Sequence, residues 1–233
     1  MIADNLKIVL ENIDKACQRA GRDSDSVKLV AVTKTHPVEV IEELLALGIK
    51  TIGENKIQDS CLKIPTLSIE PEFHFIWHFQ SNKIKKLLLL RPFLIHSLDI
   101  YSTAEKMNAY LEKNGATQSV LIQVNTTDEG QKSGVKPDRV QDFITEVSSL
   151  PHIKVMGLMT IGMFSDNPET NRKYFVQLRE LSEAIASKQI PGVEMVYLSM
   201  GMSDDYEIAI EEGASLIRVG SAIFGQRNYS KEQ

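Results

Sequence analysis

The chain has 233 residues, of which 42% are hydrophobic and 24% are charged, as is typical of a globular protein with one substantial core. Its net charge of −5 gives no general attraction to nucleic acid or to anionic membranes, and no apolar run approaches the roughly 20 residues that span a bilayer. The N-terminal segment is too evenly charged for a secretory signal, so we expect a cytoplasmic protein. We also expect a single domain over residues 1–233 that binds neither nucleic acid nor membrane.

The first predicted element is an amphipathic helix over residues 5–20, in which apolar residues recur at helical spacing up to Gly21. The run VKLVAVT at 27–33 comes next, and its unbroken apolar character is typical of a strand buried on both faces. An apolar pattern of helical period then continues from Pro37 to Gly48. The chain therefore begins with a helix, and a strand–helix unit follows it.

The same alternation of strand and helix patterns recurs along the rest of the chain. Seven further apolar runs predict strands: KTIG (50–53), FHFIW (73–77), FLIHSL (93–98), SVLIQV (119–124), KVMGLM (154–159), EMVYLS (194–199) and SLIRV (215–219). This order predicts parallel strands joined by right-handed crossovers, in an open doubly wound sheet or a closed barrel. The chain has no Gly-x-Gly-x-x-Gly motif after the first strand. Its regular units therefore favour an α/β fold of the (β/α)8 TIM barrel type with an extra N-terminal helix.

Lys34 directly follows the first predicted strand. In a parallel barrel the carboxyl ends of the strands build the active site, so this side chain is expected there. An amine at the end of an apolar strand is partly desolvated, which lowers its pKa and makes it a nucleophile that can form a Schiff base with an aldehyde. The alternative is a strand-end lysine whose amine simply reaches solvent, and Lys34 by itself does not decide between the two.

Glycine and serine residues cluster in the turns that follow the seventh and eighth strands. Gly201 and Gly220 permit close backbone approach, while Ser199, Ser203 and Ser221 offer hydroxyl groups. Barrels often bind phosphate at this position, so the two turns together predict a phosphate site. A nucleophilic lysine beside a phosphate site suits a pyridoxal phosphate protein or a lysine-dependent aldolase that has no coenzyme.

Arg218 lies just before the second of these turns. If its guanidinium faces the pyridine nitrogen of a cofactor, it keeps that nitrogen unprotonated, because two positive charges repel each other. The ring is then a weaker electron sink, which favours at most modest carbanion chemistry. The alternative is a surface arginine paired with Glu211 or Glu212.

Six segments of the chain resemble the pyridoxal phosphate homeostasis proteins, which have an alanine-racemase-like barrel without the second domain of that enzyme. The segments are AVTKTHP (31–37), GENKIQD (53–59), HFIWHFQSNK (74–83), QVNTTDEGQKSG (123–134), GLMTI (157–161) and SMGMSDDYEIAIEEGASLIRVGSAIFG (199–225). This chain has Trp77 and Phe79 where the family usually has glycine and leucine. Trp77 therefore either narrows the mouth above the cofactor or fills a gap in the barrel wall.

The resemblance implies a single-domain fold-type III barrel that binds pyridoxal 5′-phosphate (PLP). It implies that Lys34 is the Schiff-base lysine, that Arg218 faces the ring nitrogen and that Asn55 lies near the ring. The residues implied to surround the phosphate are Ser199, Gly201, Gly220 and Ser221.

The resemblance also implies a role in intracellular PLP homeostasis, as a carrier or regulator that supplies PLP-dependent apo-enzymes and has no robust catalytic activity. We expect a monomer. The alternative function is a PLP-dependent amino-acid racemase of low activity. A two-base racemase needs an acid or base on each face of the substrate, and the related enzyme supplies a tyrosine from its additional domain. The tyrosines of this chain mostly fall in helix patterns, and none closes a strand: Tyr101, Tyr110, Tyr174, Tyr197, Tyr206 and Tyr229.

Neither a metal site nor a disulfide is expected. The two cysteines, Cys17 and Cys61, lie in helix patterns and are not grouped with histidine at zinc-ligand spacing. His74 and His78 are four residues apart, but they lie on a strand rather than on one face of a helix. We therefore expect them to be buried or hydrogen-bonded histidines.

Overall fold

A computed structural model of the chain describes residues 1–127 and 133–225. Residues 128–132, which belong to the segment QVNTTDEGQKSG, lie outside the described residues, as does Tyr229. In the described residues eight parallel strands form a closed barrel in sequential order. The strands are β1 (Lys28–Val32), β2 (Thr51–Glu54), β3 (Glu72–Phe75), β4 (Leu94–Leu98), β5 (Gln118–Gln123), β6 (Ile153–Met159), β7 (Val193–Met202) and β8 (Leu216–Val219).

The pairing of β8 with β1 closes the barrel. Lys28 lies opposite Leu216 and Ala31 opposite Val219, while Ala31 also lies opposite Ile52 of β2. The first strand is therefore hydrogen-bonded on both sides, which an open sheet with this strand at its edge would not allow. The sequence-based prediction of a (β/α)8 barrel with eight strands is confirmed.

Nine α-helices are present in the described residues, and most lie between consecutive strands. They are α1 (Ile2–Arg19), α2 (Val38–Ala46), α3 (Ile57–Lys63), α4 (Ile84–Leu89), α5 (Tyr101–Lys113), α6 (Val140–Ser148), α7 (Arg172–Ala186), α8 (Tyr206–Glu211) and α9 (Ser221–Phe224). The extra N-terminal helix α1 buries one apolar face and is attached at both α8 and α9. Asn12 Nδ2 donates to the Tyr206 hydroxyl (3.2 Å), and Asn5 Nδ2 donates to the carbonyl oxygen of Ile223 (2.9 Å).

Two layers of apolar side chains follow from the alternation of residues along each strand. Outward-facing residues such as Ile52 and Val120 pack against the helices in the larger layer. Inward-facing residues such as Val30, Leu94 and Leu121 fill the barrel, as is usual for this fold. Within the part of the chain that is described, no helix is both long and apolar enough to cross a membrane.

Candidate functional site

A cavity of about 540 Å³ lies at the carboxyl ends of the strands. Its wall is formed by residues at the ends of six of the strands or in the loops after them. Five of the seven predicted site residues line it: Lys34, Asn55, Arg218, Gly220 and Ser221. The structure therefore brings together most of the residues that the sequence singled out, from three separate parts of the chain.

Lys34 lies in the turn that follows β1, and its half-buried side chain lines the cavity. The turn is held from behind by the buried carboxylate of Glu54, whose Oε1 accepts hydrogen bonds from Thr33 Oγ1 (2.7 Å) and Lys63 Nζ (2.6 Å). The Lys63 amine also contacts two carbonyl oxygens of the turn at 3.4 Å. Thr35 has a φ of 69°, in the left-handed region that residues other than glycine seldom adopt. The position of Lys34 is thus imposed by its neighbours.

The turns after β7 and β8 meet at Ser203. Its Oγ accepts hydrogen bonds from the backbone N–H groups of Gly220 (3.1 Å) and Ala222 (3.3 Å). Ser203, Gly220 and Ser221 all line the cavity, so two hydroxyl groups stand in its wall on a turn that the Gly220 and Ala222 N–H groups hold to Ser203 Oγ. Hydroxyl groups of this kind can donate to a phosphate group.

Ser199 and Gly201 do not line the cavity. Ser199 is fully buried, with its Oγ 2.5 Å from Arg218 Nη1 and 2.8 Å from His96 Nδ1. Gly201 has a φ of 89° and faces α8, because a Cβ atom there would lie 2.9 Å from Cα of Tyr206. The pairing of β7 with β8 shifts register between Ser199 and Met202, so the regular alternation along β7 does not indicate which side chains face the cavity.

Arg218 lies inside the barrel with only 4% of its surface exposed. Its Nη2 donates to the carbonyl oxygen of Thr160 (2.8 Å). Burial lowers the pKa of the guanidinium to about 10, which leaves it charged at neutral pH. Glu211 and Glu212 bind Arg172 instead, each at 2.7 Å. The alternative of a surface arginine paired with those two glutamates is therefore wrong.

Trp77 is the single tryptophan of the chain and stands at the edge of the cavity with 48% of its surface exposed. It also lines a second cavity of about 390 Å³, together with His78 and Asn125. Phe79 is buried and packs edge-to-face against Phe75, with ring centroids 5.8 Å apart. Of the two large rings, Trp77 thus borders the mouth and Phe79 fills the outer layer.

Residues 1–127 and 133–225 contain no group of three or more His, Cys, Asp or Glu side chains that could hold a metal ion. His74 lies inside the barrel, whereas His78 lies after β3 with its Nδ1 3.5 Å from Asp99 Oδ1. Cys17 and Cys61 are both free thiols. The two histidines therefore occupy different environments and do not act as a pair.

The Glu54–Lys63 pair behind the Lys34 turn was not identified as functional from the sequence. Glu54 is fully buried, and its Oε2 has no hydrogen-bond partner among the described residues. The one sequence signal was a glutamate at the end of an otherwise apolar strand, because a carboxylate is rarely buried without a specific partner. Lys63 gave no such signal, since it comes from a different element, the end of α3.

Comparison with protein families and individual relatives gives a consistent result. Residues 5–228 match the family model of the alanine racemase N-terminal domain. The pyridoxal phosphate homeostasis protein of Aquifex aeolicus is 43% identical over 227 residues, which cover 97% of this chain and 98% of the relative. The human protein of the same name is 35% identical over 242 residues, covering 97% of this chain and 87% of the relative.

Solved structures share the same barrel. PipY of Synechococcus elongatus with PLP bound is 29% identical, with a TM-score of 0.82, and the match covers 97% of this chain and all (100%) of that one. Alanine racemase of Clostridium difficile, at 16% identity and a TM-score of 0.76, matches in fold over 97% of this chain but only 58% of its own. The enzyme thus has a large part that this match does not cover.

Proposed function

Because the chain belongs to the pyridoxal phosphate homeostasis proteins, a family built on the alanine racemase N-terminal domain, we propose that it binds PLP and acts in PLP homeostasis. One observation carries the proposal. One cavity is lined by Lys34, Arg218 and the donor groups around Ser203. In that order, these groups suit the aldehyde, the pyridine ring and the phosphate of PLP.

The cavity suits the cofactor in size and in chemistry. Its volume of about 540 Å³ is within the range of roughly 300–1,000 Å³ that is usual for small-molecule sites. In the proposed arrangement the amine of Lys34 holds the aldehyde carbon, and Asn55 lies near the ring. Ser203, Gly220 and Ser221 hold the phosphate. When bound, the coenzyme supplies an aldehyde that links covalently to an amine and a ring that can accept electrons.

Ser199 and Gly201 have a different part in this proposal from the one that the resemblance implied. Both lie behind the cavity wall, so their contribution is to shape the turn and to hold Arg218. The phosphate contact is assigned to Ser203, which reaches the cavity from the end of the same segment.

Two features of the site favour retention of the cofactor over rapid catalysis. The positive charge of Arg218 disfavours protonation of the ring nitrogen, which weakens the ring as an electron sink. No tyrosine is among the described residues that line the cavity, so the second acid or base of a two-base racemase has no evident source there. We propose a carrier or regulator, with racemase activity that is weak if it occurs.

The proposal extends to how the protein works in the cell. We propose that residues 1–233 form a single PLP-binding domain, that the protein is a cytoplasmic monomer and that it passes its cofactor to PLP-dependent apo-enzymes. The half-exposed Trp77 at the cavity edge supports delivery, because the site opens to solvent there.

The test is to load the purified protein with PLP, reduce it with borohydride and locate the pyridoxyl group by mass spectrometry. We expect a yellow protein, a pyridoxyl group on Lys34 and quenching of the Trp77 fluorescence. Lys34→Ala should abolish all three, whereas Lys85→Ala on the exposed surface of α4 should leave them unchanged. A pyridoxyl group on another lysine would contradict the site assignment. A colourless protein that borohydride traps only with an added carbonyl substrate would indicate an aldolase.

Delivery and catalysis need separate assays. Transfer of PLP from the loaded protein to an apo-enzyme should be faster than dissociation of PLP into solution, and equal rates would argue against active delivery. Loss of α-deuterium from alanine or serine that disappears in Lys34→Ala would establish racemase-type chemistry instead.

A further inference from the structure

A continuous chain of polar side chains crosses the interior of the barrel beneath the cavity. It begins at Arg218, whose Nη1 lies 2.5 Å from Ser199 Oγ, and continues from Ser199 Oγ to His96 Nδ1 at 2.8 Å. His96 Nε2 then lies 2.8 Å from His74 Nδ1, and His74 Nε2 lies 3.0 Å from Glu72 Oε1. The first four side chains are buried, and Glu72 is 26% exposed at the opposite end of the barrel.

The groups at the two ends fix the direction of every hydrogen bond in this chain. An ionised carboxylate only accepts, so His74 donates to Glu72 from Nε2, and a neutral His74 then accepts at Nδ1 from His96 Nε2. A neutral His96 that donates from Nε2 accepts at Nδ1, so the Ser199 hydroxyl donates to it and Ser199 Oγ accepts from Arg218, which can only donate. The reverse direction along the two histidines would require Glu72 to donate a hydrogen bond.

The surrounding charges are consistent with two neutral histidines and an ionised Glu72. Burial lowers the pKa of His74, and the neighbouring Lys28 adds to this effect while Glu72 opposes it. The pKa of His96 lies well below its usual value because of burial, and the positive charge of Arg218 adds to this, as protonation of His74 would. Hydrogen bonds from His74 and Lys28 lower the pKa of Glu72 to about 2.

The hydrogen bonds of the Arg218 guanidinium go to two neutral groups, Ser199 Oγ and the carbonyl oxygen of Thr160, while the carboxylate of Asp205 favours its charge through space. A buried cation is costly unless nearby dipoles or charges compensate it. In the chain every donor points away from the guanidinium, so a lone pair of Ser199 faces it and the negative charge of Glu72 stands at the far end. Bonds aligned in this way polarise one another.

We propose that Ser199, His96 and His74 are positioning residues that form a one-directional hydrogen-bond chain between Glu72 and Arg218 and hold the guanidinium for its role beside the cofactor ring. The orientation of the chain is a property of the protein alone. Its consequence for the cofactor rests on the proposed function.

The first test is long-range 1H–15N NMR of the histidine side chains in cofactor-free protein, with signals assigned from single variants. We expect His74 and His96 to be neutral between pH 6 and 8, with the proton on Nε2 in both. An Nδ1-protonated or cationic form of either ring would overturn the proposal. This measurement does not depend on PLP, so it remains decisive if the proposed function fails.

The second test removes the hydroxyl group between Arg218 and His96. In Ser199→Ala we expect the fixed tautomer of His96 to be lost and the dissociation constant for PLP to rise about tenfold, as for a lost hydrogen bond to a charged group. The pH at which the visible absorption of the bound cofactor changes should also shift. Ser60→Ala is the matched control, because Ser60 of α3 is equally buried but donates to the carbonyl oxygen of Lys56, the residue before that helix. An unchanged His96 signal and unchanged PLP spectrum in Ser199→Ala would overturn the positioning role.

Discussion

Lys34 takes its position from residues that lie outside the barrel, on the side away from the cavity. Thr33 faces outward and binds Glu54, and Lys63 of α3 bridges that carboxylate and the backbone of the turn. Lys63 and Glu54 hold the backbone of the turn from behind, and this backbone directs the Lys34 side chain to the cavity.

Replacement of Lys63 tests this arrangement. Lys63→Met leaves the fully buried Glu54 carboxylate without its cation, so we expect the free energy of unfolding to fall by about 3 kcal/mol. The rate at which PLP reacts with Lys34 should fall as well, because the turn loses its attachment. Urea unfolding and stopped-flow absorbance measure the two effects.

The control for Lys63→Met is Lys7→Met, which removes an exposed pair with Glu11 on α1. Such a pair contributes less than about 1 kcal/mol, so the control should be close to the unmodified protein. If both variants lose the same stability, Glu54 does not depend on Lys63.

At the scale of elements, the end of β7 decides which residues reach the cavity. The register shift between β7 and β8 buries Ser199 and turns Gly201 toward α8, while Ser203 reaches the cavity. Met202 N–H donates to Asp205 Oδ1 at 2.6 Å, which fixes the turn that follows. A short irregularity in one strand thereby selects which serine reaches the cavity.

Gly201→Ala should disrupt this turn. The new Cβ would lie 2.5 Å from Cβ of Ala209 in a left-handed backbone conformation, so we expect a loss of about 3 kcal/mol of stability from strain and overpacking together. We also expect weaker PLP binding, because Ser203 would move. Urea unfolding and titration of the Trp77 fluorescence with PLP measure both effects.

Gly48→Ala separates the contribution of backbone strain from that of overpacking. Gly48 has a similar φ of 94°, but nothing lies within 4 Å of a Cβ atom there. Only backbone strain of about 1 kcal/mol is then expected, with PLP binding unchanged. Equal losses in the two variants would show that close packing against α8 is unimportant.

At the scale of the whole molecule, the barrel interior contains both apolar and polar side chains, and β4 contributes one of each, Leu94 and His96. Leu94 and Leu121 fill it beside a hydrogen-bond chain that includes His74 and His96. Burial lowers the pKa of both imidazoles, which favours their neutral form in the folded protein. The unfolded chain, by contrast, has histidines with an ordinary pKa near 6.5.

This difference makes stability depend on pH in a defined direction. Below about pH 6.5 the unfolded state binds protons that the folded state excludes, so the free energy of unfolding should decrease as the pH falls from 6.5 to 5. The limiting slope is about 1.4 kcal/mol per pH unit for each histidine. Urea unfolding at half-unit pH intervals measures it. His96→Gln should reduce the slope by about half, whereas His152→Gln, at a half-exposed position just before β6, should change it much less. A flat profile would mean that neither buried ring has a depressed pKa.

The sequence by itself determined the barrel and much of the wall of its cavity. Strand and helix patterns are local, and a closed parallel barrel brings the carboxyl ends of its strands together whatever the details of packing. Lys34, Asn55, Gly220 and Ser221 could therefore be assigned to one cavity from their places at strand ends.

Only the tertiary structure decided which side chains face the cavity at the end of β7 and which polar groups meet inside the barrel. The direction of Ser199 depends on a register shift, and the contacts Glu54–Lys63 and Ser199–His96 join residues from different elements. These contacts depend on how strands and helices pack in three dimensions, and periodicity within a single element carries no information about that packing.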